Sequence, residues 1–371
     1  MKNILVGITL LMSFITWAQE GKEEPSNQFP LEVEDHPYQE VDRSSMATSA
    51  AYGAGGPNYF TKQVNIDAAG NNILNDAANE PSLAVDPTNP NRIVIGWRQF
   101  DNINNNFRQA GYGYSTNSGY DWTFPGVLDP GVFRSDPVLD FDTQGNFYYN
   151  SLQGTFECDV FAIRDGSQTW GEPVPANGGD KQWMRIDRTG GASAGHNYSY
   201  WNNSFTTCSG SFTRSTDDAE SFEDCVDIPQ NPFWGTLAVD TDANLYLVGT
   251  NAPTNGDILV IKSTNASDPS SAVSFQTPTV ADLDGSLFFF PPINPQGLMG
   301  QAWIDVDVSG GPGRDNVYVT ASVARSSNSD PGDVMFARST DGGATFEAPI
   351  RINTDAGTDA YQWFGTMSVA P

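Results

Sequence analysis

The feature that most constrains this chain is an eight-residue turn pattern that recurs along it. Ser339-Thr340-Asp341-Gly342-Gly343-Ala344-Thr345-Phe346 is the fullest copy. Asp and Gly at this spacing suit a tight hairpin turn. The carboxylate accepts from backbone N–H groups of its own turn, and Gly enters left-handed backbone without a Cβ penalty. The leading hydroxyl can bond back onto the turn, and the final aromatic can pack over it. Ser115-Thr116-Asn117-Ser118-Gly119-Tyr120-Asp121-Trp122 repeats the pattern. So does Ser215-Thr216-Asp217-Asp218-Ala219-Glu220-Ser221-Phe222, with Ala219 in place of Gly. Ile163-Arg164-Asp165-Gly166-Ser167-Gln168-Thr169-Trp170 is a decayed copy, and Ser263-Thr264-Asn265 opens another, split by an insertion before Phe275.

The copies start about fifty residues apart, apart from a longer last interval. A period of that size, with strand-like sequence between turns, is the signature of a β-propeller with one copy per four-stranded blade. A second repeat agrees: an apolar strand, a turn rich in Asp, Gly and Asn, and another apolar strand. It appears at Pro81–Trp97, Pro137–Tyr149, Trp183–Trp201, Gly235–Val248 and Trp303–Val319, and Trp363–Val369 begins a sixth. Each hairpin precedes one of the octets, the order expected of the inner two and then the outer two strands of a blade. The expected fold is therefore all-β, a propeller of four-stranded blades, six-bladed, with the last blade incomplete in this chain. Residues 59–371 make up this unit, with its first blade beginning near Asn79.

The ends of the chain read differently. Lys2, the apolar run Ile4 to Trp17, and Thr16-Trp17-Ala18 make residues 1–18 a secretory signal peptide cleaved after Ala18. The apolar run is too short for a membrane span. Residues 19–58 are polar, acidic and rich in Pro, Ser and Gly, and are expected to be a flexible leader. The protein is then secreted or displayed at the cell surface. Its 45 acidic and 18 basic residues give a net charge of −27. That balance argues against nucleic acid or anionic lipid as a partner and leaves a glycan or an extracellular protein.

Three cysteines occur. Cys208 and Cys225 flank the third octet almost symmetrically, and an exported chain permits a disulfide across neighbouring strands there. Three separate thiols fit the sequence equally; in the paired case Cys158 is left over. Asp140-Phe141-Asp142 and Asp305-Val306-Asp307 carry alternating acids that suit a structural calcium ion. Neither completes a calcium loop, and turn chemistry accounts for both; no cofactor is implied.

In a propeller, the residues just before each innermost strand gather at one mouth of the central channel. Here these are Asn79-Glu80, Ser135-Asp136, Asp180-Lys181-Gln182-Trp183, Phe233-Trp234, Gln301-Ala302-Trp303 and Gln362-Trp363. Aromatic faces stack on sugar rings, while amides and carboxylates bond to hydroxyls. Glu80, Lys181, Trp183, Trp234, Gln301, Trp303, Gln362 and Trp363 are therefore candidate ligand-binding residues. The opposing possibility is that the tryptophans plug the channel as core. Glu80, Asp136 and Asp180 could supply a carboxylate pair for glycoside hydrolysis. A His-based site is poorly supplied by His36 and His196 alone.

The octet resembles the Asp box, or BNR repeat, of the sialidase-like propellers. In that family the boxes are outer-hairpin turns on the face away from the active site. The resemblance implies an Arg-Ile-Pro-Ser-Leu-type start to the first blade, whose Arg binds the substrate carboxylate. Asn79-Glu80-Pro81-Ser82-Leu83 stands in that place, so Pro81, Ser82 and Leu83 match and Asn79 replaces the Arg. That exchange removes a bidentate carboxylate clamp. Arg98 and Asp101 are the counterparts of the family's charged second strand and its acid/base loop, and Asp136 and Asp180 are further catalytic candidates. Tyr318 and Tyr361 are available as the family's nucleophile, with no motif selecting either. The expected function is a glycan- or protein-binding module, with an exo-acting, sialidase-like glycoside hydrolase as the alternative.

Overall fold

A computed structural model of the protein describes residues 35–251, 256–287 and 300–370. The expected signal peptide and the first part of the expected leader lie outside the described residues. The remainder of that leader is not bare coil. Arg43–Ser45 forms a 3-10 turn, and β1 (Thr48–Ala50) and β2 (Gly53–Gly56) follow. β2 pairs with β3 (Tyr59–Lys62), and β1 with β4 (Asn71–Ile73). This segment packs on the outer side of the first large sheet: Arg43 lies over the Phe124 ring and pairs with Asp76 at 2.6 Å. Phe60 stacks on Tyr120.

Five antiparallel sheets follow in chain order. The first comprises β5 (Ala77–Val85), β6 (Ile93–Phe100), β7 (Gln109–Ser115) and β8 (Thr123–Val127). The second comprises β9 (Arg134–Phe141), β10 (Phe147–Gln153), β11 (Cys158–Ile163) and β12 (Val174–Pro175). The third has β13 (Trp183–Ile186), β14 (Asn197–Tyr200) and β15 (Phe212–Ser215). The fourth has β16 (Leu237–Val239), β17 (Leu245–Thr250), β18 (Ile258–Ser263) and β19 (Thr279–Val280). In the fifth, β20 (Gly285–Ser286) and β21 (Trp303–Val306) pair with opposite ends of β22 (Val317–Arg325), followed by β23 (Asp333–Ser339) and β24 (Ile350–Arg351). No α-helix occurs among the described residues, and no described helix is long and apolar enough to cross a membrane.

The first strands of the sheets, β5, β9, β13, β16 and β21, lie side by side in that order. That is the arrangement of blades around a propeller axis. The apolar core sits between successive sheets. Ala84, Val94, Phe147 and Tyr149 join the first and second; Val138, Tyr148, Met184 and Ile186 join the second and third; Tyr198, Phe212, Leu245 and Leu259 join the third and fourth; Tyr246, Val260, Ile304 and Val319 join the fourth and fifth. Close packing leaves no room for a side chain at Gly235, where a Cβ would stand 1.7 Å from the Val248 carbonyl oxygen.

Polar groups stitch the innermost strands together in a repeating manner. The Leu139 N–H donates to Ser82 Oγ at 2.9 Å, and the Ile304 N–H to Thr236 Oγ1 at 3.0 Å. The Ile186 N–H donates to Asp140 Oδ2 and the Val369 N–H to Asp305 Oδ2, both at 2.8 Å. The segment ending in Val369 thus lies beside β21 as β13 lies beside β9. These bonds also account for half of the acidic pairs considered for calcium. Asp140 and Asp305 are stitches, and Asp142 caps its turn by accepting from the N–H groups of Gln144 and Asn146 at 2.9 Å.

The octets connect the third and fourth strands of their sheets, and three share one hydrogen-bond pattern. Ser339 Oγ donates to Asp341 Oδ1 at 2.8 Å and accepts from the Gly343 N–H at 2.9 Å, while Asp341 Oδ1 accepts from the Thr345 N–H at 2.9 Å. Ser115, Asn117, Gly119 and Asp121 repeat these contacts, as do Ser215, Asp217, Ala219 and Ser221. Ala219 takes the left-handed conformation otherwise given to Gly, with φ 63°. In the split copy, Asn265 Oδ1 reaches across the insertion to the Ser274 N–H at 2.9 Å. The insertion is clamped from the third sheet by buried Arg214, which donates to the carbonyls of Ala266, Asp268 and Ser271.

The third sheet lacks a full outer strand. A single bridge between Phe212 and Val226 stands in its place, and the Cys208–Cys225 disulfide closes the segment. Cys158 is a free, buried thiol.

Candidate functional site

Antiparallel pairing puts the octets and the first hairpin turns at one end of the sheets and the starts of the innermost strands at the other. At that second end one position recurs, six residues before the hairpin-turn Asp: Glu80, Asp136, Lys181, Trp234 and Gln301, with Phe364 in the matching place beside β21. Glu80, Asp136, Lys181, Trp234 and Phe364 all have left-handed backbone, with φ of 51°, 47°, 56°, 54° and 53°. Non-glycine residues avoid this region unless the surrounding structure holds them there. In the first two sheets the cause is visible as a register shift, between Asn79 and Ser82 and between Asn150 and Leu152. A bulge of this kind re-aims a side chain; the third and fourth sheets share the left-handed residue at this position without a register shift in their pairing.

The mouth is divided into two halves. Glu80, Asp136 and Lys181 from the first three sheets form a charged half. Lys181 Nζ lies 3.0 Å from Asp136 Oδ2 and 3.5 Å from Asp180 Oδ1. Asp136 Oδ2 also accepts from the Lys181 N–H, and its Oδ1 accepts from Ser135 Oγ at 2.7 Å. Arg98 reaches Glu80 Oε1 at 3.2 Å through Nη2 and donates from Nε to Asn79 Oδ1 at 2.8 Å. Trp234, Gln301 and Phe364 form the other half, with the Phe233 ring against Trp234 and Trp363 against Phe364. Trp363 and Phe364 are exposed.

The two mouth carboxylates are driven apart in acidity. Burial pushes Asp136 upward, but the Lys181 ammonium, the Ser135 bond and Arg98 outweigh it and hold the carboxyl at about 2. Burial and the nearby Asp136 charge push Glu80 above the usual carboxylate value, against Lys181 and Arg98. The Glu80 side chain is 42% exposed, so solvent screens part of this effect. Burial would lower Lys181, but Asp136, Asp180 and Glu80 together raise it well above an ordinary lysine.

The sequence candidates therefore separate. Glu80, Asp136, Asp180, Lys181 and Arg98 come together. Asp101 does not join them; it accepts from Gln109 Nε2 at 2.7 Å and lies 3.6 Å from Arg43, toward the outer segment. Trp183 and Trp303 meet each other edge to face, with centroids 5.1 Å apart, and Trp183 also packs into the cores on both sides of its sheet. Gln362 is tied through its side chain to Asn353 at 3.0 Å. Two residues escaped the sequence reading: Phe364, which counting six residues back from a turn position would have found, and Arg108, held by Asp35 at 2.6 Å. No group of three or more His, Cys, Asp or Glu side chains suited to a metal ion occurs among the described residues.

No protein-family model matches the chain, and no curated protein matches it. Solved structures similar to it include a protein of unknown function from Dyadobacter fermentans DSM 18053, at 13% identity and a TM-score of 0.47, covering 76% of this chain and 85% of that one. The Hadza microbial sialidase Hz136 is 13% identical, with a TM-score of 0.48, covering 75% of this chain and 59% of that one. YCF48 bound to D1 peptide is 12% identical, with a TM-score of 0.44, covering 79% of this chain and 72% of that one.

Proposed function

We propose that this chain is an exported, six-bladed, sialidase-like propeller that binds a glycan at the mouth opposite the octets. What supports this reading is that Glu80, Asp136, Lys181, Trp234 and Phe364 share left-handed backbone at one recurring position, at the end of the sheets opposite the octets. Carboxylates there accept from sugar hydroxyls, and exposed aromatic faces cover the apolar side of a sugar ring. Export rests on residues 1–18. Binding is favoured over hydrolysis because the Asp136 oxygens are occupied by Ser135 and by both nitrogens of Lys181. A carboxylate so engaged is a poor nucleophile or base.

A second reading has one observation in its favour. A pair of carboxylates with separated acidities is the pattern of an acid and its ionised partner in glycoside hydrolysis. Glu80 would protonate the leaving oxygen while Asp136 stays charged. A glycan array, with hydrolysis followed in parallel, tests both readings on the full chain and on Phe364→Ala and Glu80→Gln. Binding without turnover, weakened by Phe364→Ala, supports the module. Turnover abolished by Glu80→Gln replaces it with the hydrolase. Neither binding nor turnover overturns both.

A further inference from the structure

The charge pattern of the mouth selects among glycans. Among the described residues, the cations of the charged half are already engaged. Arg98 is held by Glu80 and Asn79, Lys181 by Asp136 and Asp180, and Arg108 by Asp35. Counting these groups, the carboxylates Glu80, Asp136, Asp180 and Asp35 exceed the cations Arg98, Lys181 and Arg108 by one. The whole chain, these groups included, carries a net charge of −27. A ligand carboxylate entering here would meet an acidic field. To gain a partner it would have to take Arg98 from Glu80 and Asn79, or take Lys181 from Asp136, whose side chain is 8% exposed. Removing Lys181 from that buried pair is costly because the Asp136 charge stays desolvated.

A neutral sugar meets none of these costs. The side chain of Glu80 is 42% exposed, so its carboxylate remains open to donors. Carboxylates accept only, and sugar hydroxyls donate. The exposed rings of Trp363 and Phe364 offer an uncharged platform on the opposite side.

We infer that the mouth takes uncharged, hydroxyl-rich glycans and rejects those bearing a carboxylate. The inference rests on the glycan-binding reading above. The test is a pair of otherwise identical oligosaccharides, one ending in a neutral hexose and one in a hexuronic acid, titrated by calorimetry against the full chain. The neutral member is expected to bind about tenfold tighter or better, with the gap narrowing as salt is raised. Glu80→Gln with Asp180→Asn should narrow it further by improving the acidic member. Equal or tighter binding of the acidic member overturns the inference while leaving glycan binding intact. Binding of neither, across a broad glycan array, overturns the glycan-binding reading itself.

Discussion

Asp136 and Lys181 occupy the same position in consecutive sheets, and the ammonium of one lies 3.0 Å from the carboxylate of the other. Both are held in left-handed backbone. The pair links the second and third sheets at the mouth, with Asp136 8% and Lys181 25% exposed at the side chain.

Removing Lys181 leaves Asp136 desolvated and without its main counter-charge. Lys181→Met is expected to cost about 3 kcal/mol, the range for breaking a buried pair from one side. Adding Asp136→Asn should recover most of that loss, because no buried charge is then left unpaired. Chemical denaturation of the two single variants and the double variant measures the coupling. Additive losses would show that the two side chains do not act as a pair.

The disulfide is expected to matter because it replaces a strand. In place of a paired fourth strand, the outer edge of the third sheet has the Phe212–Val226 bridge and bonds from Arg214 and Thr213 to Glu223, and the Cys208–Cys225 link fastens that edge. Cross-linking residues 17 apart in sequence restricts the unfolded chain, an effect of about 3 kcal/mol for loops near that size. Cys208→Ser with Cys225→Ser should lower the melting temperature, and added reductant should then have no further effect. An unchanged melting temperature in the double variant would overturn this.

Acid should weaken the protein through His196. Burial holds this imidazole below its ordinary value of 6.5, with Asp187, Asp218 and Glu223 opposing and Arg214 assisting. The unfolded chain then takes up a proton near pH 6.5 that the folded chain refuses. Stability is therefore unaffected well above 6.5, falls as the pH drops below it, and levels off once the folded imidazole protonates. His196 Nδ1, Asp187 Oδ2 and Tyr198 OH are all buried without a partner. The matching Tyr148 and Tyr246 hydroxyls instead donate to Asp142 and Asp240 at 3.1 and 3.0 Å, beside Asn146 and Asn244. His196→Asn should remove the step below pH 6.5 in melting temperature against pH. Persistence of the same step would assign it to other groups.

The octet hydroxyls should be worth one hydrogen-bonded group each. Ser339→Ala removes the acceptor for the Gly343 N–H and the donor to Asp341. Leaving that N–H unmet in a buried turn is expected to cost about 1 to 2 kcal/mol. Ser339→Thr, which keeps the hydroxyl, should recover part of it. Thermal unfolding of both variants decides the matter; equal losses would point to packing instead.

Much of the fold was legible because its signals are local. Each octet carries its own donors and acceptors, so Ser115, Ser215 and Ser339 announce the same turn wherever they fall in the chain. The hairpins before them show alternating or continuous apolar residues that only strands use well. β1 and β2, within the expected leader, are made of Ala, Gly, Ser and Thr, a composition that also suits coil. Their order comes from pairing with β3 and β4.

The candidate site was half legible. Sequence order places Glu80, Asp136, Lys181 and Trp234 at corresponding points before their strands, and radial repetition then brings them to one mouth. Sequence could not give the side-chain directions. Trp183 and Trp303 have the residue type of a sugar platform, yet packing turns them onto each other. Asp101 has the charge of a site residue, yet Gln109 and Arg43 draw it outward. The separation in acidity between Glu80 and Asp136 depends on where one lysine ammonium comes to rest, three-dimensional information that residues 45 positions apart in sequence do not carry. Local hydrogen bonding and hydrophobic period determined the repeating sheets; burial and charge contacts between sheets decided how the side chains at the mouth are arranged.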